Sequence, residues 1–332
     1  MTRSRTTRFR AALAVPLLLA VPLVAAGCAT TDPVQAEPTA ETGPGFVIDQ
    51  DFPDPDLLEV DGEYLAFATN SPGANVQWAS STDLDNWKVS TDDALPTLPD
   101  WASAGRTWAP DVSVAPGGGY VMYFVAEHTS SGKQCIGAAT AAVASGPFTP
   151  VAGKPIVCTL DEGGAIDPST FTDDDGSRFL VWKNDGNCCD LDTWIQLAPL
   201  AEDGASLTGP AVKLFKQTES WEGNLVEAPT LVKHGATYWM FYSANDYSGD
   251  AYAIGAASAR SLEGPYTKNP EPFLTSASSG DRYYGPGGQD VISTPDGDVM
   301  FFHSWDENVI YRGMSSRPLA WDGDVPALSL EK

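Results

Sequence analysis

Three carboxylates lie just ahead of a proline that opens a β-strand. Asp54 and Asp167 each precede a proline directly, and Glu227 lies two residues before Pro229. Carboxylates at such positions could act as a general acid and base, or they could hold a cation. A single acid near a strand start usually caps a turn. Three acids in equivalent places, on a chain with 44 acidic and only 19 basic residues, indicate a functional site.

The acids belong to a repeat. A proline or glutamine, a polar residue, a short apolar strand, a turn with Gly or Asp-Gly, and an aromatic strand return at intervals of roughly 60 residues. The five returns begin at Pro55, Pro110, Pro168, Pro229 and Gln289. Two strands across a turn of this kind are typical of a β-hairpin. Three of the units continue with segments that predict a third and a fourth strand.

Four antiparallel strands repeated in five units predict an all-β protein, a five-bladed β-propeller. A β-sandwich with long loops would not explain why the order of the elements stays constant. The innermost strand of each blade lines the central channel of a propeller, so the three acids should converge at one mouth of that channel. Trp108 lies at the same mouth and favours a sugar site over a metal cage, because aromatic faces stack on sugar rings.

The charge of the chain restricts its partners. A net charge of -25 and a pI near 4.2 argue against nucleic acid or an anionic membrane surface as the partner. A neutral substrate suits this surface better, and the charge also favours solubility after secretion.

The N-terminus predicts export. Arginines precede an apolar run that is too short for a transmembrane helix, so residues 1–27 are predicted to be a signal peptide. The sequence before Cys28 resembles the bacterial lipobox, although Ala25 stands where Leu or Val is usual. We therefore expect an extracellular protein that is lipidated at Cys28 and anchored to the membrane only by that lipid, with free secretion as the alternative. Residues 28–45 predict a disordered tether, and residues 46–332 the catalytic propeller.

Four further cysteines, Cys135, Cys158, Cys188 and Cys189, would meet an oxidising environment after export. They allow three pairings. We expect Cys135 to pair with Cys158, and Cys188 and Cys189 either to bridge to each other or to pair elsewhere. With three histidines and no C-x-x-C motif, a zinc site is not expected.

From residue 46 to about residue 325 the chain resembles glycoside hydrolase family 43, five-bladed propellers that hydrolyse arabinosyl and xylosyl linkages. The resemblance rests on Asp-Pro-Asp at Asp54, on Asp-Pro-Ser at Asp167 followed by Asp-Asp-Asp-Gly, and on Glu227 before a short strand. It implies that Asp54 is the general base, that Glu227 is the proton donor, and that Asp167 orients and tunes that donor.

The resemblance also implies that Arg312, in the final Tyr-Arg-Gly-Met segment, reaches the sugar. Many members have Gly-Pro-Gly-His in the fifth unit, with a histidine that often contacts a bound ion. This chain has Gly285-Pro-Gly-Gly288 instead. We therefore expect no cofactor, regard the central calcium ion of the family as doubtful, and expect Gln289 to supply a polar contact to the substrate.

The implied mechanism is a single displacement with inversion. Asp54 deprotonates a water that attacks the anomeric carbon, and Glu227 protonates the departing oxygen. Asp167 is expected to stay negative and to raise the pKa of Glu227 by repulsion.

These features predict a monomeric, exo-acting α-L-arabinofuranosidase that acts on oligosaccharides or polysaccharides of the plant cell wall. The alternatives are a β-xylosidase, a fructan hydrolase and a non-catalytic sugar-binding lipoprotein. The fructan hydrolases usually carry their donor in a Glu-Cys pair, whereas Ala228 follows Glu227 here.

Overall fold

The structure, a computed structural model, describes residues 43–151 and 153–330. The predicted signal peptide, the lipidation site Cys28 and the tether up to residue 42 lie outside the described residues. In the part of the chain that is described, no helix has the length and apolar character needed to cross a lipid bilayer.

The described strands form five antiparallel sheets of four consecutive strands each, which confirms the all-β, five-bladed propeller. Blade 1 comprises β1 Asp56–Val60, β2 Glu63–Ala68, β3 Gln77–Ser81 and β4 Lys88–Val89. Blade 2 comprises β5 Ala102–Val114, β6 Tyr120–His128, β7 Lys133–Ala141 and β8 Thr149–Pro150. Blade 3 comprises β9 Ala165–Thr172, β10 Arg178–Asn184, β11 Trp194–Pro199 and β12 Val212–Lys216.

Blade 4 comprises β13 Val226–His234, β14 Thr237–Ala244, β15 Ala253–Ala259 and β16 Thr267–Lys268. Blade 5 comprises β17 Tyr284–Thr294, β18 Gly297–Trp305, β19 Arg312–Asp322 and β20 Val325–Leu328. The described helices are short 3₁₀ turns at Leu160–Glu162, Gly186–Cys189, Ser220–Glu222 and Ala277–Ser279.

The tight turns follow from the residues that form them. In blade 1, Val60 pairs with Glu63 across Asp61 and Gly62, and both turn residues have positive φ angles of 53° and 84°. A two-residue turn of this kind matches the twist of the flanking strands, and Asp-Gly tolerates it well. The turn signal in the sequence is therefore confirmed.

The core consists of apolar clusters between adjacent blades, because each middle strand is buried on both faces. In β6, Met122 and Phe124 pack toward blade 1, while Val121 and Tyr123 pack toward blade 3. Alternate side chains of a strand point to opposite faces, so one aromatic strand serves two interfaces. Continuous apolar strands in the repeat are the consequence.

The ring closes between blades 5 and 1. Leu57 of β1 packs with Phe301 of β18 and Met314 of β19. The segment before β1 adds backbone bonds, since the N–H of Val47 donates to the carbonyl of Met314 at 2.8 Å. The residues ahead of the first strand thus tie the last blade to the first.

One backbone feature recurs at the mouth of the channel. The residue before the repeat proline or glutamine has a left-handed conformation in every blade: Asp54 (φ 55°), Ala109 (φ 37°), Asp167 (φ 55°), Ala228 (φ 47°) and Gly288 (φ 56°). Such a conformation is costly for residues other than glycine and is typical of functional sites. In the four inner strands β5, β9, β13 and β17 it coincides with a shift in strand register. It re-aims side chains toward the channel.

Two disulfides join the four cysteines of the propeller. Cys135 is bonded to Cys158, which confirms the pairing expected from the sequence. Cys188 is bonded to its neighbour Cys189, one of the two arrangements left open.

Candidate active site

A cleft of about 670 Å³ opens at the mouth of the central channel. Its volume lies within the roughly 300–1,000 Å³ typical of small-molecule sites. Asp54, Asp167 and Glu227 line it together with Trp108 and Arg312. Of the six propeller residues that the sequence predicts at the site, five line this cleft. They come from blades 1 to 4 and from the start of β19 in blade 5.

Asp54 is surrounded by groups that favour its charged form. Thr69 donates a hydrogen bond to Oδ2 at 2.7 Å, and Arg312 Nη1 lies 3.6 Å from Oδ1. His303 Nδ1 lies 3.2 Å from the same Oδ1. Burial by itself would raise the pKa of Asp54, but Arg312, His303 and Thr69 outweigh it and hold the pKa well below its usual range. Asp54 is an ionised carboxylate, as a general base must be.

His303 is fully buried between Asp54 and Arg312. Burial and the Arg312 guanidinium lower the pKa of His303, so the imidazole is neutral. The backbone N–H of Asp54 donates to Nδ1 at 3.1 Å, and Arg312 Nη1 lies 3.4 Å from Nε2, so both ring nitrogens contact the Asp54–Arg312 pair. A Cβ atom at Gly288 would lie 2.5 Å from His303 Nδ1. A side chain at residue 288 would therefore clash with the imidazole of His303, which strand β18 places there.

Glu227 is held by two buried groups. Lys183 Nζ donates to Oε2 at 3.0 Å, and the Tyr252 hydroxyl donates to Oε1 at 2.8 Å. Although burial lowers the pKa of Lys183, the carboxylates of Glu227, Asp167 and Asp185 raise it overall. Lys183 is thus a fixed positive charge beside the expected proton donor.

Asp167 lies next to Glu227, and its Oδ2 accepts the N–H of Ala228 at 2.9 Å. Burial first, and then the nearby carboxylates of Glu227 and Asp54, raise the pKa of Asp167 to about 8. This differs from the expectation that Asp167 stays negative. The reason is that burial and the neighbouring carboxylates of Glu227 and Asp54 outweigh the attraction of Lys183, so Asp167 keeps a proton near neutral pH.

Gln289 was expected to contact the substrate, and the structure contradicts this. Its side chain is 4% exposed and does not line the cleft. Both ends of its amide are occupied, since Oε1 accepts from the Ser243 hydroxyl at 2.9 Å and Nε2 donates to the Ala228 carbonyl at 2.5 Å. Gln289 stands where other blades have proline, and its side chain joins blades 4 and 5.

Four residues that contact the acids were missed in the sequence: Thr69, Lys183, Tyr252 and His303. Two of them carry a detectable signal, because Lys183 directly follows the apolar and aromatic run 179–182, and His303 directly follows the run 299–302. Thr69 and Tyr252 lie next to strand ends and carry none.

A second group of acids lies inside the channel. Asp56, Asp111 and Asp290 line a cavity of about 40 Å³ there. A directly bound calcium ion needs about six to eight converging oxygen ligands. Within residues 43–151 and 153–330, no set of three or more acidic, histidine or cysteine side chains has the geometry of a metal site. These residues do not fit a directly bound ion, and the chemistry proposed below uses none.

The chain was compared with known families and proteins. The model of the glycosyl hydrolases family 43 matches residues 46–324. The extracellular endo-α-(1→5)-L-arabinanase 1 of Bacillus subtilis is 25% identical over 77% of this chain and 80% of its own length. A β-D-galactofuranosidase of Aspergillus niger is 26% identical over 74% and 71%, respectively. The solved structure of an endo-1,4-β-xylanase from Bacteroides thetaiotaomicron is 27% identical, with a TM-score of 0.72, over 88% of this chain and 97% of that one.

Proposed function

The chain belongs to glycoside hydrolase family 43, and from this premise we propose that it removes arabinofuranosyl or xylosyl residues from plant cell-wall polysaccharides. It is therefore an enzyme that hydrolyses O-glycosyl bonds with inversion of configuration. The relatives named above act on arabinan, galactofuranosides and xylan, so the particular sugar is part of the proposal.

The observation that carries the proposal is the convergence of three carboxyl groups from three blades on one cleft, with Asp54 against Arg312 and Glu227 against Lys183. Asp54 is ionised, while Asp167, beside Glu227, holds a proton near neutral pH. Inverting hydrolysis needs one carboxylate to accept a proton from water and one carboxyl group to donate a proton to the leaving oxygen. The cleft offers both at the same pH.

We propose the following roles. Asp54 removes a proton from a water molecule whose oxygen forms a bond to the anomeric carbon. The bond from that carbon to the leaving oxygen breaks, and Glu227 delivers a proton to that oxygen. Asp167, which keeps a proton near neutral pH, lies beside Glu227, and Lys183 and Tyr252 fix the position of the Glu227 carboxyl group. Trp108 and Arg312 position the sugar.

Assays with nitrophenyl α-L-arabinofuranoside and nitrophenyl β-D-xyloside test the proposal. We expect measurable turnover of at least one, with proton NMR showing the inverted anomer first. No turnover of pentosides, linear arabinan or xylan would contradict the proposed substrate class. The retained anomer as first product would contradict the roles of Asp54 and Glu227 and favour a fructan-hydrolase type of chemistry.

The mode of attack and the location of the enzyme are further proposals. Exo action predicts that monosaccharide appears from linear arabinan without an early fall in viscosity, whereas endo action predicts the reverse. Export fits the extracellular description of the Bacillus subtilis relative. Lipidation at Cys28 predicts that a Cys28→Ser variant is recovered from the medium and not from the membrane fraction.

A further inference from the structure

The two disulfides of the propeller lie in different surroundings. Cys135 is fully buried in the core between blades 1 and 2, and Cys158 packs against the same cluster. The bond between Cys188 and Cys189 lies outside the cores, and Cys188 is exposed and lines the cleft. The first disulfide has an evident structural role, whereas the proposed reaction gives the second no role.

The loop that carries this second disulfide is held at its base by amide and backbone contacts, while Lys133 Nζ lies 3.4 Å from Cys188 Sγ and 2.6 Å from Cys189 Sγ. The buried amide of Asn184 donates to the carbonyls of Glu162 and Asp192 at 2.9 and 3.0 Å. Gly186 follows, and a Cβ atom there would lie 2.3 Å from the Asp192 carbonyl oxygen. The loop is therefore tightly packed at its base. A bond between adjacent cysteines closes a small ring that also fixes the outer side chains, so little freedom remains to be lost when a ligand binds.

The disulfide lies on the side of the cleft that belongs to the proton donor. Lys183 and Asp185 directly precede the loop, and Lys183 contacts Glu227 at 3.0 Å. The loop belongs to blade 3, next to blade 4 with Glu227, whereas Asp54 belongs to blade 1. A proton donor must reach the leaving oxygen, so groups beside it face the leaving part of the substrate.

The chemistry of the disulfide differs from that of its neighbours on the cleft wall. Asn187, Asn224, Asn245 and Asp246 present polar groups to the cleft. Sulfur is soft and polarizable, and a disulfide offers no hydrogen-bond donor. Such a surface suits the C–H face of a sugar ring, as an aromatic ring does.

We propose that the Cys188–Cys189 disulfide is a binding surface for the sugar residue on the leaving-group side of the scissile bond. The inference rests on the proposed function. The ligand is a neutral pentose or hexose residue of an oligosaccharide, with its apolar face against Cys188, the half of the disulfide that lines the cleft.

The test compares Cys188→Ala/Cys189→Ala with Leu191→Ala, an exposed apolar residue of the same loop that does not line the cleft. For the double variant we expect the KM for the preferred pento-oligosaccharide to rise about five- to tenfold, the size of effect seen when one apolar contact is lost. Inhibition by the free pentose should change much less, because the free sugar binds on the other side of the scissile bond from the leaving group. Leu191→Ala should match the wild type in both measurements.

A second measurement covers the case in which the double variant fails to fold. The folded wild type is treated with a mild reductant and iodoacetamide, and peptide mapping identifies molecules alkylated only at Cys188 and Cys189. The added groups should raise the oligosaccharide KM in the same way. An unchanged KM in the folded variant, or in the alkylated enzyme, overturns the inference. If the untreated wild type cleaves no pentoside, the proposed function fails instead, and the two failures are distinguishable.

Discussion

The two acids that flank Pro55 lie two residues apart and face different surroundings. Both border the small cavity inside the channel, but only Asp54 also lines the substrate cleft, where it contacts Arg312. Burial raises the pKa of both. Near Asp54, positively charged groups and hydrogen-bond donors outweigh burial and lower the pKa below its usual range. Near Asp56, the carboxyl groups of Asp111 and Asp290 raise the pKa further, well above its usual value.

The inner acids join the blades to one another. Asp290 accepts the N–H of Leu57 at 2.9 Å, Asp56 that of Val112 at 2.8 Å, and Asp111 that of Thr170 at 2.7 Å. Each bond runs from one blade to the backbone of the next. The ring continues through the bond from Ala228 to Asp167 and the bond from Thr230 to the Gln289 carbonyl.

The repeat supplies carboxyl groups at two levels of one channel, and the neighbours of each group determine its role. At the outer level, Arg312 contacts Asp54 and Lys183 contacts Glu227, so each of these two acids has a cation beside it. At the inner level, where Asp56 faces other acids, burial raises the pKa values of the carboxyl groups, and these groups connect the blades. The predictions below test this division.

The largest effect is expected from Asp54→Asn. Loss of the general base should lower kcat/KM by about 10³- to 10⁴-fold on every substrate, because general base catalysis contributes on this scale. Asp56→Asn, on the other side of the same proline, should keep kcat/KM within about threefold of the wild type, since its amide oxygen can still accept from Val112. Similar losses in both variants would contradict the division between the two levels.

Glu227→Gln should reveal the proton donor through its dependence on the leaving group. We expect a loss of about 10²- to 10⁴-fold on oligosaccharides, whose leaving group needs the proton. The loss on dinitrophenyl glycosides should be much smaller, because their leaving group departs without one. Equal losses on both types of substrate would remove Glu227 from this role.

The sequence predicts the fold because each signal for it is local. The Asp61-Gly62 turn and the apolar strands lie within single units, and Asp54 and Asp167 are visible because they occupy the same place in that repeat. Lys183 meets Glu227 only when blades 3 and 4 pack together, and His303 meets Asp54, 249 residues away along the chain, only after the ring closes. Such contacts depend on how blades face one another, which no local pattern determines.

The error at Gln289 has a similar physical origin. The family resemblance indicated a polar contact near a missing histidine, and Gln289 was the next polar residue. Gly288 occupies the left-handed position at the channel mouth, so the side chain of the next residue points between blades. Because the polar side chain is at residue 289 and not at residue 288, it lies at the interface between blades and not in the substrate cleft.

Removing the buried cation should change the pH dependence of activity. In the wild type we expect kcat/KM to fall above about pH 8, as Asp167 loses its proton. Lys183→Met removes a positive charge that favours the ionised form, so this alkaline limb should move to higher pH, with kcat lowered about 10- to 100-fold.

The matched control is Lys213→Met, which breaks the ion pair between Lys213 and Glu162 at the surface of the same blade. It should leave the pH profile unchanged and cost less than about 1 kcal/mol of stability. An alkaline limb that stays in place in folded Lys183→Met would show that the lysine does not act on the acid pair.

The inner acids should make stability fall as the pH rises toward neutral. Burial raises the pKa of Asp111 to about 6 and that of Asp290 to about 7, and Asp167 shifts in the same direction. Between about pH 4 and pH 7 the folded state therefore holds more protons than the unfolded state, and the free energy of unfolding decreases with pH. Asp54 is ionised in both states over most of this range and contributes little to the slope.

Urea unfolding at several pH values between 4.5 and 7.5 measures this slope. Asp111→Asn should reduce the decrease by on the order of 2 kcal/mol, because an amide does not titrate. Glu63→Gln, at the exposed start of β2, should leave the slope unchanged. A wild-type slope of zero or of opposite sign would contradict the protonated state of the inner acids.

The smallest effect is expected from Thr69→Val, which alters only one of the groups that hold Asp54. The Thr69 hydroxyl donates to Asp54 Oδ2 at 2.7 Å and accepts the N–H of Ala109 at 3.0 Å. Without it the pKa of Asp54 should rise, while Arg312 and His303 still keep it below its usual range. We expect kcat/KM at neutral pH to fall about two- to fivefold, and the acid limb of its pH profile to move upward by less than about one unit.

Thr107→Val is the matched control, because Thr107 is also buried and its hydroxyl has no hydrogen-bond partner among the described residues. Its replacement should leave the acid limb in place and should not destabilise the protein, since no hydrogen bond is lost. The two variants together thus separate the effect of losing a hydroxyl group from the effect of losing a hydrogen bond to Asp54. If both variants shift the acid limb equally, the shift reports altered packing near Trp108, and the hydrogen bond from Thr69 has no separate influence on Asp54.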